Sequence, residues 1–271
     1  MPFPDKWLQK LARLIGYLDK IIFRERIHKR FRKNLRIAYP DKSDDVLNKI
    51  VDRTVNSFIL NALMIGKYMT TPAAKINKKV RVRNYELVEE MVGKQPFIVV
   101  TPHFDLTLVT MKMILKLFKI PMMLPVRPII NKKFHDEIMP IINEPNFTRI
   151  TTGGALGQLE EFMAKNAAIM IAIDSVSTAK YKHKVKFFDE DFDVSTGLFW
   201  LSEKYNLPVV TAYSLLDSDG SIYLNFYDKE YLKNTPEAIQ AYIDKLEEII
   251  HRYPGRWNIP DDFWPTSTEP K

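Results

Sequence analysis

One stretch constrains this chain more than any other: Pro96-Phe-Ile-Val-Val-Thr-Pro-His-Phe-Asp-Leu-Thr-Leu108. The run from Phe97 to Val100 is apolar and largely β-branched, the make-up of a buried strand. Thr101-Pro102 halts it. From Asp105 an apolar segment runs to Phe118 without glycine or proline, too long for a strand and therefore expected to be a helix. His103 falls where the strand hands over to the helix, and in open α/β sheets that edge is where ligands bind. A lone histidine is most often a hydrogen-bonded core or loop residue. As a functional group it would be a general base, because imidazole titrates near neutral pH.

The downstream sequence repeats the pattern. Met122 to Arg127 reads as a second strand, followed by a helix over 132–142. Arg149 to Thr152 is a short strand, and Gly153-Gly154 leads into a helix over 155–165. Ala168 to Ile173 is a continuous apolar run with the character of a central strand, and Asp174 stands at its end as His103 does at the end of the first. A helix over 196–205 precedes strand Val209 to Ser214, then an alternating strand Ser221 to Tyr227. Thr235-Pro236 starts a last helix that Pro254-Gly255 stops. Strands alternating with helices imply an α/β fold, a mainly parallel sheet flanked by helices on both faces.

The N-terminal part reads differently. Trp7, Leu8, Leu11, Leu14, Ile15, Leu18, Ile21 and Ile22 recur at helical spacing, flanked by Lys6, Lys10, Arg13 and Lys20. A basic tract, Arg24 to Lys33, follows. The stripe either packs on the domain or lies in a membrane interface, with lysine and arginine meeting anionic lipid. A second helix is expected over 44–69, with Ser43 as its cap. The expected organisation is a helical N-terminal arm over residues 1–75 and an α/β domain over 76–271.

Charge narrows the partners. The net charge is +7, which favours an anionic one: nucleic acid, an anionic membrane or an acidic carrier protein. Nucleic acid is disfavoured, because the N-terminal aromatics belong to the apolar stripe instead of interleaving with the cations as a stacking platform. The chain has no cysteine, which excludes disulfides, thiol catalysis and cysteine zinc sites. No metal site is expected. No apolar run approaches the length of a bilayer span, and no signal peptide is expected.

His103, Arg127, the Gly153-Gly154 turn and Asp174 all fall just after expected strands, and strand ends on one edge of a parallel sheet converge. Together they suggest a base, a cation, an anion cradle and a carboxylate in one cleft. Lys180, Lys182 and Lys184 read as a basic loop, either solvated or available to a phosphate.

These blocks, in this order, resemble the lipid A biosynthesis acyltransferases, the lauroyl/myristoyl branch of the lysophospholipid acyltransferase superfamily. The resemblance runs from about residue 30 to about residue 258. Asn34-Leu-Arg-Ile-Ala-Tyr-Pro-Asp-Lys-Ser43 is similar to the family's N-L-x-x-x-F-P-x-x-S block, and Thr101-Pro-His-Phe104 to its catalytic H-F-x-N-W-E block. Val126-Arg-Pro-Ile-Ile-Asn131 resembles R-P-x-x-N, and Gly153-Gly154 and Asp174 resemble the G-G and D-Q blocks. Val185-Lys-Phe-Phe188 with Val194-Ser-Thr-Gly197 resembles V-P-F-F-G…T-G, and Tyr253-Pro-Gly-Arg-Trp257 the closing P-x-x-W.

The resemblance implies an O-acyltransferase that moves a fatty acyl chain from an acyl carrier protein or CoA thioester to a lipid or glycolipid hydroxyl. It would need no bound cofactor and would work at the cytoplasmic face of the inner membrane; the family's usual membrane-spanning N-terminal helix is at best an interfacial one here, so peripheral association is expected. His103 would be the base. Arg127, Asn131, Gly153, Gly154 and Asp174 would contact substrate, and Lys182 of the basic loop is a further candidate for a substrate phosphate. The sequence also departs from the family. The acid five positions after the histidine is Leu108 here, the glutamine after the aspartate is Ser175, and the glycine after Phe-Phe is Asp189. Asp105 is therefore the expected partner of His103, with Asp174 the alternative. Should neither serve, the chain would be a non-catalytic lipid- or acyl-binding homologue.

Overall fold

The computed structural model describes residues 5–22, 26–70, 80–126, 146–151, 156–174, 180–217 and 221–258. Three helices lead: α1 (Asp5–Ile21), α2 (Arg26–Ala38) and α3 (Asp44–Thr70). The α/β part follows as β1 (Val80–Arg83), α4 (Glu86–Glu89), β2 (Phe97–Val100), α5 (Thr107–Phe118) and β3 (Met122–Val126). After these come β4 (Phe147–Thr151), α6 (Leu156–Met163), β5 (Ala168–Ile171), β6 (Lys182–Phe187) and β7 (Glu190–Ser195). The described chain closes with α7 (Gly197–Tyr205), β8 (Val209–Leu216), β9 (Ile222–Glu230), α8 (Pro236–Arg252) and a 3-10 turn, Pro254–Arg256.

Seven strands form one sheet in the order β1-β9-β8-β2-β5-β3-β4, and every neighbouring pair is parallel except β8 and β9. The expected mainly parallel α/β fold with a helical N-terminal arm is what the chain adopts. All four β2 residues are buried, as a strand covered on both faces requires. Faces alternate along β8. Thr211 meets Tyr242 of α8 on one side, and Ser214 meets Thr110 of α5 on the other.

β2 feeds β3 on one side of the sheet, whereas β5 feeds β8 on the other. Right-handed crossovers in opposite directions set the following helices on opposite faces. The ends of β2 and β5 therefore stay open between them, the place where such sheets bind ligands.

Of the expected basic loop, Lys180 lies in a bend before β6, but the other two lysines do not lie in a loop. Lys182 and Lys184 lie on β6, which pairs antiparallel with β7, and their ammonium groups meet Asp193 and Asp191 across the hairpin. The two-residue turn places Phe188 at φ 53° and Asp189 at φ 62°. A turn with two positive φ angles matches the twist of the flanking strands. Aspartate tolerates that region better than most residues, so Asp189 can occupy the turn without a glycine.

The N-terminal helices are packed on the domain. α1 presents Leu8 and Ala12 to α3, and α2 buries Phe31 and Leu35. Asp19 of α1 is buried and accepts from the backbone N–H groups of Ile27 and His28, while its carboxylate lies 2.6 Å from His28 Nδ1. α3 in turn meets the 3-10 turn through Gly255. A Cβ built there would stand 2.6 Å from Arg53 Cβ, so no larger residue fits without displacing the helix. α8 starts as its sequence dictates: Thr235 Oγ1 accepts from Ala238 N at 3.3 Å and Pro236 takes the first turn.

Candidate active site

His103 lies three residues beyond β2, and Asp174 three residues beyond β5. The two strands pair with Val100 opposite Ile171, so both groups emerge at the same height. Asp174 Oδ1 is 2.9 Å from His103 Nδ1. Its Oδ2 accepts from the backbone N–H of His103 at 2.7 Å and from Trp257 Nε1 at 2.9 Å. The Asp174 side chain is fully buried, whereas that of His103 is 36% exposed. A buried carboxylate with three donors on it is satisfied and fixed in place. A carboxylate can only accept, so the tautomer that suits this contact carries its hydrogen on Nδ1 and its lone pair on Nε2.

The segment after the 3-10 turn closes the site from behind. Trp257 is fully buried, stacked on Phe188 at 5.3 Å and edge-on to Phe187 at 5.5 Å. It forms an isolated antiparallel bridge with Phe104, and Asn258 N donates to His103 O at 2.7 Å. Tyr213 packs edge-on to Phe104 at 5.4 Å, and burial, then the neighbouring Tyr253, push its hydroxyl above the ordinary tyrosine range. It therefore stays neutral beside the site.

Asp105 does not hold His103, and it does not cap α5. Its φ is 43°, and it precedes a helix whose cap residue is Leu106. Its N–H donates to Arg256 O and its carbonyl accepts from Asn258 Nδ2, each at 2.6 Å. Its buried carboxylate accepts from Ser57 Oγ at 2.7 Å, from Leu216 N at 2.8 Å and from Arg256 at 3.0 Å. The left-handed backbone sends the side chain into the interior between α3 and β8, away from the imidazole. Asp174, the alternative partner, occupies the place expected of Asp105.

Leu108 lies in the first turn of α5. Lys182 sits on the hairpin with its charge on Asp193. Arg127, Asn131, Gly153 and Gly154 lie outside the described residues. Among the described residues, no three His, Asp or Glu side chains converge as metal ligands do. Three contributors escaped the sequence reading: Trp257, Arg256 and Ser57. The only signal for the first two was the Pro-Gly-Arg-Trp block after the last helix. Ser57 gave none, being one small residue inside a long helix.

A comparison with family models matches residues 1–259 to the bacterial lipid A biosynthesis acyltransferases. The chain belongs to that family. A search of curated proteins returned no match. Acyltransferases of this family use acyl thioester cosubstrates. Among the described residues, no helix is long and apolar enough to cross a membrane.

Proposed function

We propose that this acyltransferase is a peripheral membrane enzyme that acylates a lipid or glycolipid hydroxyl from an acyl carrier protein or CoA thioester, with His103 as base and Asp174 as its orienting acid. The observation that carries this reading is the double hold of Asp174 on His103, through Nδ1 and through the backbone N–H. It fixes both the tautomer and the orientation of the ring, the task of the acid in a catalytic triad.

In the reaction, Nε2 takes the proton of the acceptor hydroxyl as its oxygen attacks the thioester carbonyl carbon. The buried carboxylate stabilises the imidazolium that forms. Collapse of the tetrahedral intermediate breaks the C–S bond, and the thiolate leaves with the proton from Nε2. Ester and thiol are the products, and no oxidant or metal enters the balance. Arg127, Asn131 and the Gly153-Gly154 turn are the candidates for substrate anions or the oxyanion, since guanidinium and backbone N–H groups suit both.

Helix α1 supports the peripheral part. Its inner face is buried, but Trp7, Leu11, Leu14, Tyr17, Ile21 and Ile22 remain exposed, Trp7 by 63% and Ile21 by 60%. Lys6 and Lys10 border this outward stripe. An apolar stripe beside lysines suits a helix lying in a lipid interface. The N-terminal arm would thus hold the sheet edge against the membrane that carries the acceptor.

The test is the mass of candidate acceptors, lipid A precursors and lysophospholipids, after incubation with acyl carrier protein or CoA thioesters. One acyl group should be added, and His103→Ala should slow the addition by about two to four orders of magnitude. Absence of turnover with any donor would replace this reading with that of an acyl-binding homologue.

A further inference from the structure

Away from His103 and Asp174, a cavity of about 490 Å³ opens between α1, α3 and the 3-10 turn. Four arginines line it: Arg13 from α1, Arg53 from α3, Arg252 from α8 and Arg256 from the turn. Against them stands one lining carboxylate, Asp217. Arg256 is held by Asp105. Among the described residues, Arg13, Arg53 and Arg252 have no carboxylate within ion-pair reach, although other surface cations such as Lys20, Lys165 and Lys245 do. Like charges gathered around one space repel, and an anion there would offset the repulsion.

We infer that this cavity is a binding site for a phosphoryl group, distinct from the histidine–aspartate site. Guanidinium groups match phosphate oxygens in geometry as well as charge, whereas lysine offers a point charge only. The volume admits a phosphate with an attached alcohol or sugar. Placement favours a lipid as its bearer. Arg13 lies on α1, whose neighbouring face carries the exposed apolar stripe, so a phosphate at headgroup depth would stand level with it. The inference rests on the membrane reading only for the source of the phosphate; the site itself does not depend on acyl transfer.

Binding is measured without an acyl donor, by calorimetric titration with inorganic phosphate and with glycerol 3-phosphate. In parallel, flotation uses vesicles of phosphatidylcholine with and without phosphatidylglycerol. The variant Arg13→Gln with Arg53→Gln removes two guanidinium groups but keeps the Arg53 stem that packs on Gly255. Lys94→Gln with Lys233→Gln makes the same charge change at exposed positions elsewhere. The arginine variant should bind phosphate at least about tenfold more weakly than wild type, and the lysine variant should bind as wild type does.

A response to soluble phosphate assigns a free phosphate ester. A response only to the phosphatidylglycerol fraction assigns a lipid headgroup. Leu11→Asp with Leu14→Asp, which removes the apolar stripe, should leave the soluble titration unchanged, so failure of membrane docking is read separately. Equal weakening in both charge variants overturns the site. So does absence of any arginine-dependent phosphate response, or capture of acyl carrier protein through these arginines with none.

Discussion

Asp174 grips His103 twice, with Oδ1 at 2.9 Å from the ring and Oδ2 at 2.7 Å from the backbone N–H. The same oxygen that holds the backbone also takes Trp257 Nε1. One carboxylate therefore sets both the position of the loop and the tautomer of the imidazole.

Asp174→Asn should separate these jobs. The amide keeps one acceptor oxygen but turns donors toward a donor, leaving a buried bond unmade at a cost of about 1–3 kcal/mol. The ring loses its orienting charge, and acyl transfer should fall by about four orders of magnitude. Thermal unfolding beside the transfer rate checks this. A variant that folds and turns over as wild type would remove Asp174 from the mechanism.

Asp105→Asn should behave in the opposite sense. The carboxylate is buried among Ser57, Leu216 N and the partly exposed Arg256, so its loss should cost about 2–4 kcal/mol of stability. The pH dependence of the transfer rate should not move, because Asp105 makes no bond to the imidazole. A shifted pH profile with an unchanged melting temperature would restore Asp105 to the role of orienter.

Leu11→Asp with Leu14→Asp should abolish flotation with anionic vesicles while the fold survives, because these side chains are 41% and 52% exposed. Ala12→Asp, at a position 1% exposed against α3, should instead unfold the arm. Circular dichroism and vesicle flotation together check the pair. If the first variant also unfolds, the outward stripe is core.

Glu247→Gln should stabilise the protein at neutral pH. Burial holds the Glu247 carboxyl above the ordinary glutamate range, against the opposing bond from Phe188 N at 2.6 Å. A folded-state value above the unfolded one gives stability that is present at low pH and lost as pH rises through it. Glutamine keeps the acceptor for Phe188 N and never ionises. Its advantage should appear near pH 7 and vanish as pH falls below the ordinary glutamate range. Melting curves across that range are the check.

The sheet was legible because its central strands are short apolar runs with clear stops. Phe97–Val100 and Ala168–Ile171 need no tertiary information to be recognised. Their pairing does need it, and the pairing selects Asp174. Spacing along the chain pointed to Asp105, two residues from the histidine, but a positive φ reverses the direction of a side chain and leaves no mark in composition. The hairpin was missed although its period shows in hindsight: Lys182, Lys184 and Lys186 face out while Val185 and Phe187 are buried. A lysine-rich stretch resembles a solvated loop until Asp191 and Asp193 are known to lie opposite. Trp257 was visible only as part of a block, since nothing local tells a tryptophan which carboxylate it will meet.

The clamp on His103 also has a consequence in time. The loop after β2 is tied down by Trp257 and Asn258, which leave the ribosome only after the entire sheet has been made. Contacts so distant in sequence form late, because the loop they close is entropically expensive. A nascent chain can therefore pair its strands while the imidazole still lacks its backing. A protease cut just before Trp257 would keep both bonds of Asp174 to His103 but remove their outer support, Trp257 on the carboxylate and Asn258 on the His103 carbonyl.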